Sequence, residues 1–306
     1  MSSAPVAAID LGTNTALLLV ARRDSSGRLE ILEECSETAR LGRGLARSGR
    51  LEDASVERTL GILERYRSRA GELGVEPARL RVVGTAVLRR ASDAERFLRG
   101  ARDRLGLEID VLSEEEEARL GHEAVAATHG EHVVIVDVGG GSTEVTANGG
   151  ELRLSTPMGA VVMTERFLGL EGEPPVEDGG FGALVVAAVQ GASAFPAGAA
   201  GESSVVLIGG TAANLACLES GAERFDPSHV EGVSVDAGAV AGWAERIAAL
   251  VRADREELPI EADRAELLPA GLTCLAATMV RLEARRATTS ALGLRHAVVN
   301  ELLLRS

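Results

Sequence analysis

Short apolar runs alternate along the chain with segments whose apolar residues recur at helical spacing, and this alternation predicts an α/β protein. The apolar run at residues 6–9 ends at Asp10, and the run at 133–136 ends at Asp137. Glycine and hydroxyl residues follow both aspartates, so each run is typical of a buried strand that ends in a turn. Further strands are predicted at 16–21, 29–33, 80–84, 107–112, 151–157 and 203–208.

Helical spacing of apolar residues predicts the elements between these strands. The clearest helix begins near Asp53. Ser92 with Glu95, and Ser113 with Glu116, have the spacing of capping boxes, in which a hydroxyl and a carboxylate bind the first amides of a helix. We therefore predict helices at 53–71, 92–105, from 113 onward, before 167, at 184–189, 212–218, 236–256 and 263–286, and at the C terminus.

The two segments that contain the aspartates have the same order of features. Each consists of a strand, an aspartate, one further residue, a glycine, hydroxyl or amide residues, and a second strand. This repetition suggests a duplication, with the joint between Leu112 and His132. A third turn of glycine and hydroxyl residues follows the predicted strand at 203–208.

The residues after the second of these strands are of the types that bind phosphate. Residues 139–141 are glycines, so a ligand can approach their backbone N–H groups, and Ser142 and Thr143 add hydroxyl donors. Asp137 repels a phosphate, so we expect it to bind a cation beside the anion. Taken alone, the segment is explained equally well by a glycine-rich hairpin whose aspartate caps a turn.

Four consecutive glutamates follow Ser113 at the start of a predicted helix. Carboxylates at a helix N-terminus stabilise the positive end of the helix dipole by about 0.3–1 kcal/mol each, which is sufficient to explain residues 114–116. Glu117 lies one turn inside the helix, at the junction of the two halves. We therefore expect Glu117 to face a cleft between them.

Composition restricts the partners of the chain. Of its 306 residues 45% are apolar, 25% are charged and 2% are aromatic, as expected for a globular protein of two domains with a core of aliphatic residues. The net charge is −14, and every basic side chain is arginine because no lysine occurs. Few aromatic rings and a repulsive field argue against nucleic-acid and membrane binding, so local arginines, amides and a metal must hold any anionic substrate.

The cysteines and the hydropathy pattern bear on the cellular compartment. Cys35, Cys217 and Cys274 are odd in number and widely spaced, which is typical of unpaired thiols in a reducing compartment. We recognise no N-terminal signal and no apolar run of about eighteen residues, and therefore expect a cytoplasmic protein. The apolar helices of the second half are compatible with a homodimer and equally with core packing.

Taken in order, these motifs resemble the exopolyphosphatase and guanosine pentaphosphate phosphohydrolase (Ppx/GppA) family, within the actin-like ATPase superfamily. The resemblance covers essentially the whole chain. Each motif is weak alone, whereas their order and spacing together are specific. The motifs are residues 10–15, 40–45, 83–85 with Arg89, 113–119, 136–144, 158–160, 209–211 and 291–298.

The resemblance implies an α/β fold of two ribonuclease-H-like domains, at residues 1–125 and 126–306, with an anion site in the cleft between them. The last helix of such a protein can also pack on the first domain. The implied activity is hydrolysis of a terminal phosphoanhydride in polyphosphate or in guanosine pentaphosphate (pppGpp). The implied cofactor is Mg²⁺ or Mn²⁺.

The resemblance also assigns roles to individual residues. Glu117 is the general base that deprotonates a water, and Arg89 binds the terminal phosphate. The carboxylates associated with the metal are Asp137, Glu144 and Asp10. The loops that hold phosphate oxygens contain Gly12, Thr13, Asn14, Thr15, Gly139, Gly140, Gly141, Ser142, Thr143, Gly210 and Thr211.

Two other functions are compatible with the same residues. One is an ATP-dependent phosphotransferase of the same superfamily, since residues 209–214 can equally contact an adenosine. The other is a non-catalytic binder of polyphosphate or of phosphorylated alarmones, which the combination of Glu117 and Arg89 makes the least favoured. Because the chain ends after the two family domains and lacks lysine, we expect short polyphosphates or a nucleotide to be better substrates than long chains.

Overall fold

The computed structural model describes residues 2–170 and 172–305, which form two compact units. The first unit contains the chain up to Ala124 together with the terminal segment from Leu294. The second unit is Val125–Gly293. None of the helices in the described residues combines the length and the apolar character that a membrane crossing requires.

The strands and helices alternate as the apolar pattern predicts. The strands are β1 (Val6–Leu11), β2 (Thr15–Arg23), β3 (Leu29–Thr38), β4 (Leu80–Gly84), β5 (Ile109–Val111), β6 (Val133–Val138), β7 (Thr143–Ala147), β8 (Leu152–Thr156), β9 (Ser204–Ile208), β10 (Ser234–Asp236) and β11 (Arg286–Thr289). The helices are α1 (Leu45–Ser48), α2 (Asp53–Glu72), α3 (Ala86–Arg90), α4 (Ala94–Leu105), α5 (Glu114–His129), α6 (Ala160–Phe167), α7 (Gly180–Ala192), α8 (Gly209–Glu219), α9 (Ala237–Ala249), α10 (Arg252–Glu256), α11 (Leu268–Arg281) and α12 (Leu294–Leu304).

The sheet of the first unit has the described strands in the order β3-β2-β1-β4-β5. The pairs β1–β2 and β2–β3 are antiparallel, whereas β1–β4 and β4–β5 are parallel. Successive side chains of a strand point to opposite faces, so Ala7 and Ile9 pack in one apolar layer with α2 and α4, while Val6 and Ala8 pack in the other with α12. Burial on both faces explains why residues 6–9 of β1 are continuously apolar.

The sheet of the second unit repeats this arrangement. Its described strands have the order β10-β11-β9-β6-β7-β8. Three antiparallel strands, β8-β7-β6, are followed by the parallel strands β9 and β11, as β3-β2-β1 are followed by β4 and β5. The predicted α/β fold of two ribonuclease-H-like sheets is therefore confirmed, and the repeated strand order agrees with a duplication.

The two longest predicted helices of the second half are wrong in extent. Residues 236–256 form α9 and α10, which are separated because Leu250 and Val251 adopt an extended backbone. Residues 263–286 contain α11, which begins at Leu268 with Pro269 in its first turn. Proline lacks a backbone N–H and is favourable in the first turn of a helix, whereas in the interior it breaks the helix. The short strands β10 and β11 were not predicted.

One of the two predicted capping boxes is present. The Ser113 amide donates to Glu116 Oε2 at 3.0 Å, and the Glu116 amide donates to Ser113 Oγ at 3.2 Å. The prediction for Ser92 is wrong, because its hydroxyl donates to the Gly49 carbonyl at 2.9 Å and α4 begins two residues later.

Candidate active site

The turns that follow β1 and β6 are closed by the same hydrogen bond. The Gly12 amide donates to the Thr15 carbonyl at 3.0 Å, and the Gly139 amide donates to the Ser142 carbonyl at 3.0 Å. The predicted phosphate loops at 12–15 and 139–143 are therefore equivalent turns at the ends of equivalent strands.

In the second unit the carbonyls of the turn are occupied by protein donors. The Ala160 amide donates to Gly139 O at 2.9 Å, and the Val161 amide donates to Gly140 O at 2.9 Å, both from the start of α6. The Gly140 N–H donates to no backbone or side-chain acceptor within residues 2–170 and 172–305. Because the carbonyls are used and this amide is not, the turn is suited to an anion.

The first unit supports its turn in the same way. The Gly42 amide donates to Thr13 O at 2.8 Å, and the Ala39 amide donates to Asn14 O at 2.9 Å. In the part of the chain that the structure describes, the amides of Thr13 and Asn14 have no protein acceptor. These two N–H groups therefore remain available to a ligand.

Two of the predicted phosphate-binding hydroxyls are used inside the protein. Thr143 Oγ1 donates to the Met158 carbonyl at 2.5 Å, and Thr211 Oγ1 donates to the Val138 carbonyl at 3.2 Å. A hydroxyl has a single proton, so neither can donate to a phosphate at the same time. The Ser142 hydroxyl has no hydrogen bond to the described residues, which leaves its proton available.

Asp137 and Glu144 lie opposite each other on β6 and β7. Side chains of directly opposed residues in an antiparallel pair lie on the same face of the sheet, about 4.5–5.5 Å apart at Cβ. In the first unit Asp10 lies opposite Leu17 and Val83, so that row has no second carboxylate. The equivalent strands therefore differ at the position occupied by Glu144.

The carboxylate pair of the second unit suits a hydrated Mg²⁺. Within the described residues, no group of three or more His, Cys, Asp and Glu side chains could hold a metal ion. Mg²⁺ usually keeps several waters and binds one or two carboxylates together with substrate phosphates, so it does not need such a group. The donor chemistry of Asp137 and Glu144 therefore fits the ion that the family resemblance implies.

Glu117 and Arg89 form an ion pair in the first unit. Arg89 lies on α3, just after β4, and its Nη1 donates to Glu117 Oε2 and to the Leu112 carbonyl, each at 2.8 Å. Desolvation raises the pKa of Glu117, while the charge and hydrogen bond of Arg89 act in the opposite direction. A partly desolvated carboxylate with a raised pKa is a stronger base than an exposed one.

The third turn, at the start of α8, is close to an arginine that the sequence analysis missed. Gly209 has a φ of 83°, and a Cβ on it would overlap Asp137 Oδ1. A Cβ on Gly210 would overlap the guanidinium of Arg264. The absence of both side chains therefore lets a carboxylate and a guanidinium approach the positive end of a helix.

Two further residues hold Arg264 in this position. Arg264 Nε donates to Glu261 Oε2 at 2.5 Å. The Asn214 side chain is fully buried and donates to Gly210 O at 2.8 Å and to Glu261 Oε2 at 3.0 Å. No motif or periodicity indicated Glu261 or Arg264, and the predicted helix from 263 placed Arg264 in a different element.

Comparison with known proteins identifies the family to which this fold belongs. The profile of the Ppx/GppA phosphatase family matches residues 19–306. The crystal structure of the family member from Aquifex aeolicus is 29% identical, covers 99% of this chain and 98% of its own, and has a TM-score of 0.77. An exopolyphosphatase-like protein at 24% identity has a TM-score of 0.86, with 98% of this chain and 99% of that chain covered.

A third structure shows the same fold at lower identity. It is an exopolyphosphatase from Cytophaga hutchinsonii, 19% identical, with a TM-score of 0.81 over 98% of each chain. Since the family profile matches nearly the whole sequence and the repeated sheets carry the expected turns, the chain belongs to the Ppx/GppA phosphatase family and is a phosphoanhydride hydrolase.

Proposed function

We propose that the protein uses water to remove the terminal phosphate from inorganic polyphosphate or from the 5′ end of pppGpp, with Mg²⁺ or Mn²⁺ as cofactor. The observation that carries this proposal is the ion pair between Glu117 and Arg89, with Glu117 Oε2 and Arg89 Nη1 2.8 Å apart. Hydrolysis of a phosphoanhydride requires little covalent chemistry from the protein. It requires a positioned water and groups that neutralise the charge of the transferred phosphate.

Glu117 is the general base in this proposal. Its carboxylate takes a proton from the attacking water, and desolvation supports the role because it raises the pKa of this side chain. Arg89 binds the terminal phosphate and also sets the charge state of Glu117. One guanidinium can serve both purposes, because its five N–H donors form a fixed fork.

The turns bind phosphate oxygens mainly through the backbone. We assign this role to the amides of Thr13, Asn14 and Gly140, and to the Ser142 hydroxyl, because these donors have no acceptor among the described residues. Thr143 and Thr211 shape the turns through the bonds of their hydroxyls to carbonyls. The other members of the proposed phosphate set are Gly12, Thr15, Gly139, Gly141 and Gly210.

Asp137 and Glu144 are the residues that we propose to hold the metal, with Asp10 as a further carboxylate at the end of β1. When bound, Mg²⁺ neutralises negative charge on phosphate oxygens. Arg264 adds a fixed positive charge beside the Gly209–Gly210 turn. The three free thiols also agree with a reducing compartment, and we propose that the protein is cytoplasmic.

A phosphotransferase that uses ATP remains the second candidate, because Gly209 and Gly210 form the first turn of α8, and a glycine-containing helix N-terminus suits the phosphates of a nucleotide. The two functions differ in their requirement for an acceptor. A hydrolase releases phosphate with water alone, whereas a phosphotransferase requires a second substrate.

The proposal is tested by measuring phosphate release with Mg²⁺ from polyphosphates of graded length, pppGpp and ATP, side by side. We expect release from polyphosphate or pppGpp without any acceptor, and a rate that does not rise steadily with chain length. Release that occurs only when an acceptor is added would favour the phosphotransferase. Tight binding of these compounds without release would favour a binding protein.

A further inference from the structure

A row of polar side chains crosses three adjacent strands of the second unit. Asp137 on β6 lies opposite Glu144 on β7, and Glu144 lies opposite Ser155 on β8. Directly opposed residues share a face of the sheet, so the three side chains point to the same side. Ser155 was not among the residues that the sequence marked.

The Ser155 hydroxyl donates a hydrogen bond to Glu144 Oε1 at 3.0 Å. A hydroxyl that donates to a carboxylate makes a charge-assisted bond, which is stronger than a bond between neutral groups. Glutamate has a long flexible side chain, and fixing one of its oxygens restricts its rotamers. The bond therefore holds the carboxylate of Glu144 on the face that it shares with Asp137.

Two carboxylates on directly opposed positions repel each other. The first unit shows that the same strand arrangement forms without the second carboxylate. There the equivalent row is Asp10, Leu17 and Ser36, in which an apolar residue replaces the second carboxylate. The Ser36 hydroxyl makes no hydrogen bond to the rest of the described chain.

We propose that Ser155 is a positioning residue, which orients the Glu144 carboxylate toward a divalent cation shared with Asp137. This inference rests on the proposed function, since that function assigns the metal to these two carboxylates. Partners that orient a ligating carboxylate typically change metal affinity by about 10–100-fold when they are removed. The hydroxyl itself contacts Glu144 and acts through it.

The test measures metal binding directly. Free Mn²⁺ is titrated by electron paramagnetic resonance against the whole protein in the presence of inorganic phosphate. Ser155→Ala is expected to weaken Mn²⁺ binding by about 10-fold or more. Ser36→Ala, at the equivalent position of the first sheet, is expected to leave it unchanged. In a Glu144→Gln background, Ser155→Ala is expected to have no further effect.

A second pair of variants separates the hydroxyl from the packing. Ser155→Thr and Ser155→Val introduce side chains of the same shape that favour strands, and only threonine retains the donor. Ser155→Thr is expected to bind Mn²⁺ about as tightly as the wild type, whereas Ser155→Val is expected to bind it more weakly. The two variants are expected to have equal melting temperatures.

Three results would overturn the inference. Wild-type affinity in both Ser155→Ala and Ser155→Val would show that the hydroxyl does not position Glu144. An equal loss in the Glu144→Gln background would show that Ser155 acts through another group. A wild-type protein that binds no Mn²⁺ would overturn the metal assignment as well, whereas the measurement of phosphate release tests the hydrolase function independently.

Discussion

Glu117 is under two opposing influences that together determine its basicity. Desolvation favours the neutral carboxylic acid and raises the pKa, while the guanidinium of Arg89 favours the carboxylate. A general base must be deprotonated in the resting enzyme and must still attract a proton in the transition state. Desolvation therefore raises the affinity of Glu117 for a proton, while the ion pair with Arg89 favours its charged form.

We expect Glu117→Gln to lower kcat by about 10²–10⁴-fold, because the amide cannot accept the proton of the attacking water. Binding of polyphosphate should change little, since the variant removes an interaction that acts in the transition state. Steady-state kinetics and equilibrium binding measure the two effects. Glu57→Gln, an exposed glutamate of α2 that pairs with Arg104 and not with Arg89, is the control. Unchanged turnover in Glu117→Gln would remove this residue from the role of base.

Arg89→Gln should shift the acidic limb of the pH profile of kcat/KM to higher pH. The charge of Arg89 lowers the pKa of Glu117, so its removal raises that pKa. A base with a higher pKa is deprotonated only at higher pH, and activity on the acidic side falls accordingly. Values of kcat/KM measured across the acidic pH range in the wild type and in the variant show the direction in which the limb shifts.

Arg89→Lys keeps a cation and should shift the limb less than Arg89→Gln. Arg99→Gln, on the exposed side of α4, is the control for the loss of one positive charge. A shift of the limb to lower pH in Arg89→Gln would contradict the assigned electrostatic role.

The residue types of the candidate turns are visible in the sequence, whereas the direction of their hydrogen bonds is not. Thr143 and Thr211 have the residue type of phosphate ligands, but the structure shows that their protons are given to carbonyls. Arg264 was missed because its approach to Gly210 depends on a contact between distant segments. The sequence gives the residue type directly, whereas tertiary packing decides which acceptor a hydroxyl group donates to.

At the scale of elements, each turn that we propose to bind phosphate is supported by a segment that follows the third strand of its sheet. After β3 this segment supplies Gly42, and after β8 it supplies Gly159 and the first amides of α6. A Cβ on Gly159 would overlap the backbone of residues 140–142, so glycine is required for the close approach. The sequence motif at 158–160 therefore has a structural explanation.

Gly159→Ala should destabilise the second unit by about 1–3 kcal/mol, because the added methyl meets backbone atoms that cannot rotate away. Urea denaturation followed by the fluorescence of Trp243, the single tryptophan, measures the change. Gly182→Ala in α7 is the control, since a Cβ there meets nothing within 4 Å. Alanine favours a helix over glycine, so this control should be neutral or stabilising by up to about 1 kcal/mol. If both variants were equally stable, the backbone of residues 140–142 would have moved to accommodate the added methyl group.

The elements that the sequence predicted are those with a continuous apolar run, such as β1 and β6, or with apolar residues repeated at helical spacing over several turns, such as α2. The missed strands β10 and β11 have three and four residues, and β11 contains Arg286, Thr288 and Thr289. A strand this short has too few residues to show an alternation, and its pairing with β9 is decided by tertiary contacts. Pro269 indicates that α11 begins near this residue, but the prediction followed the helical spacing of apolar residues, which placed the start of the helix at 263.

At the scale of the whole molecule, the two units share a sheet topology and differ in chemistry. The first contains the ion pair of Glu117 and Arg89, and the second contains the opposed carboxylates Asp137 and Glu144. The net charge of −14 gives no general attraction to an anion. On the proposed function, an anionic substrate therefore requires local donors, such as the amides and arginines that follow the strands.

The path of the chain adds a structural requirement, because the first unit is completed by the last segment of the sequence. Leu303 of α12 is 6% exposed and lies in the apolar layer with Val6, Ala8 and Leu19. Its neighbour Leu304 is 77% exposed. The two residues are identical in type and adjacent in sequence, so they form a matched pair for testing whether α12 stabilises the first sheet.

Leu303→Ala should lower the free energy of unfolding of the first unit by about 2 kcal/mol or more, as expected for a buried leucine, whereas Leu304→Ala should stay within about 0.5 kcal/mol of the wild type. Hydrogen exchange followed by mass spectrometry locates the effect. Peptides from β1 and β2 should exchange faster in Leu303→Ala because the layer that covers them is weakened. Peptides from β7 should be unchanged. Equal exchange of β1 in both variants would show that α12 contributes little to the first unit, even though it supplies one of its apolar layers.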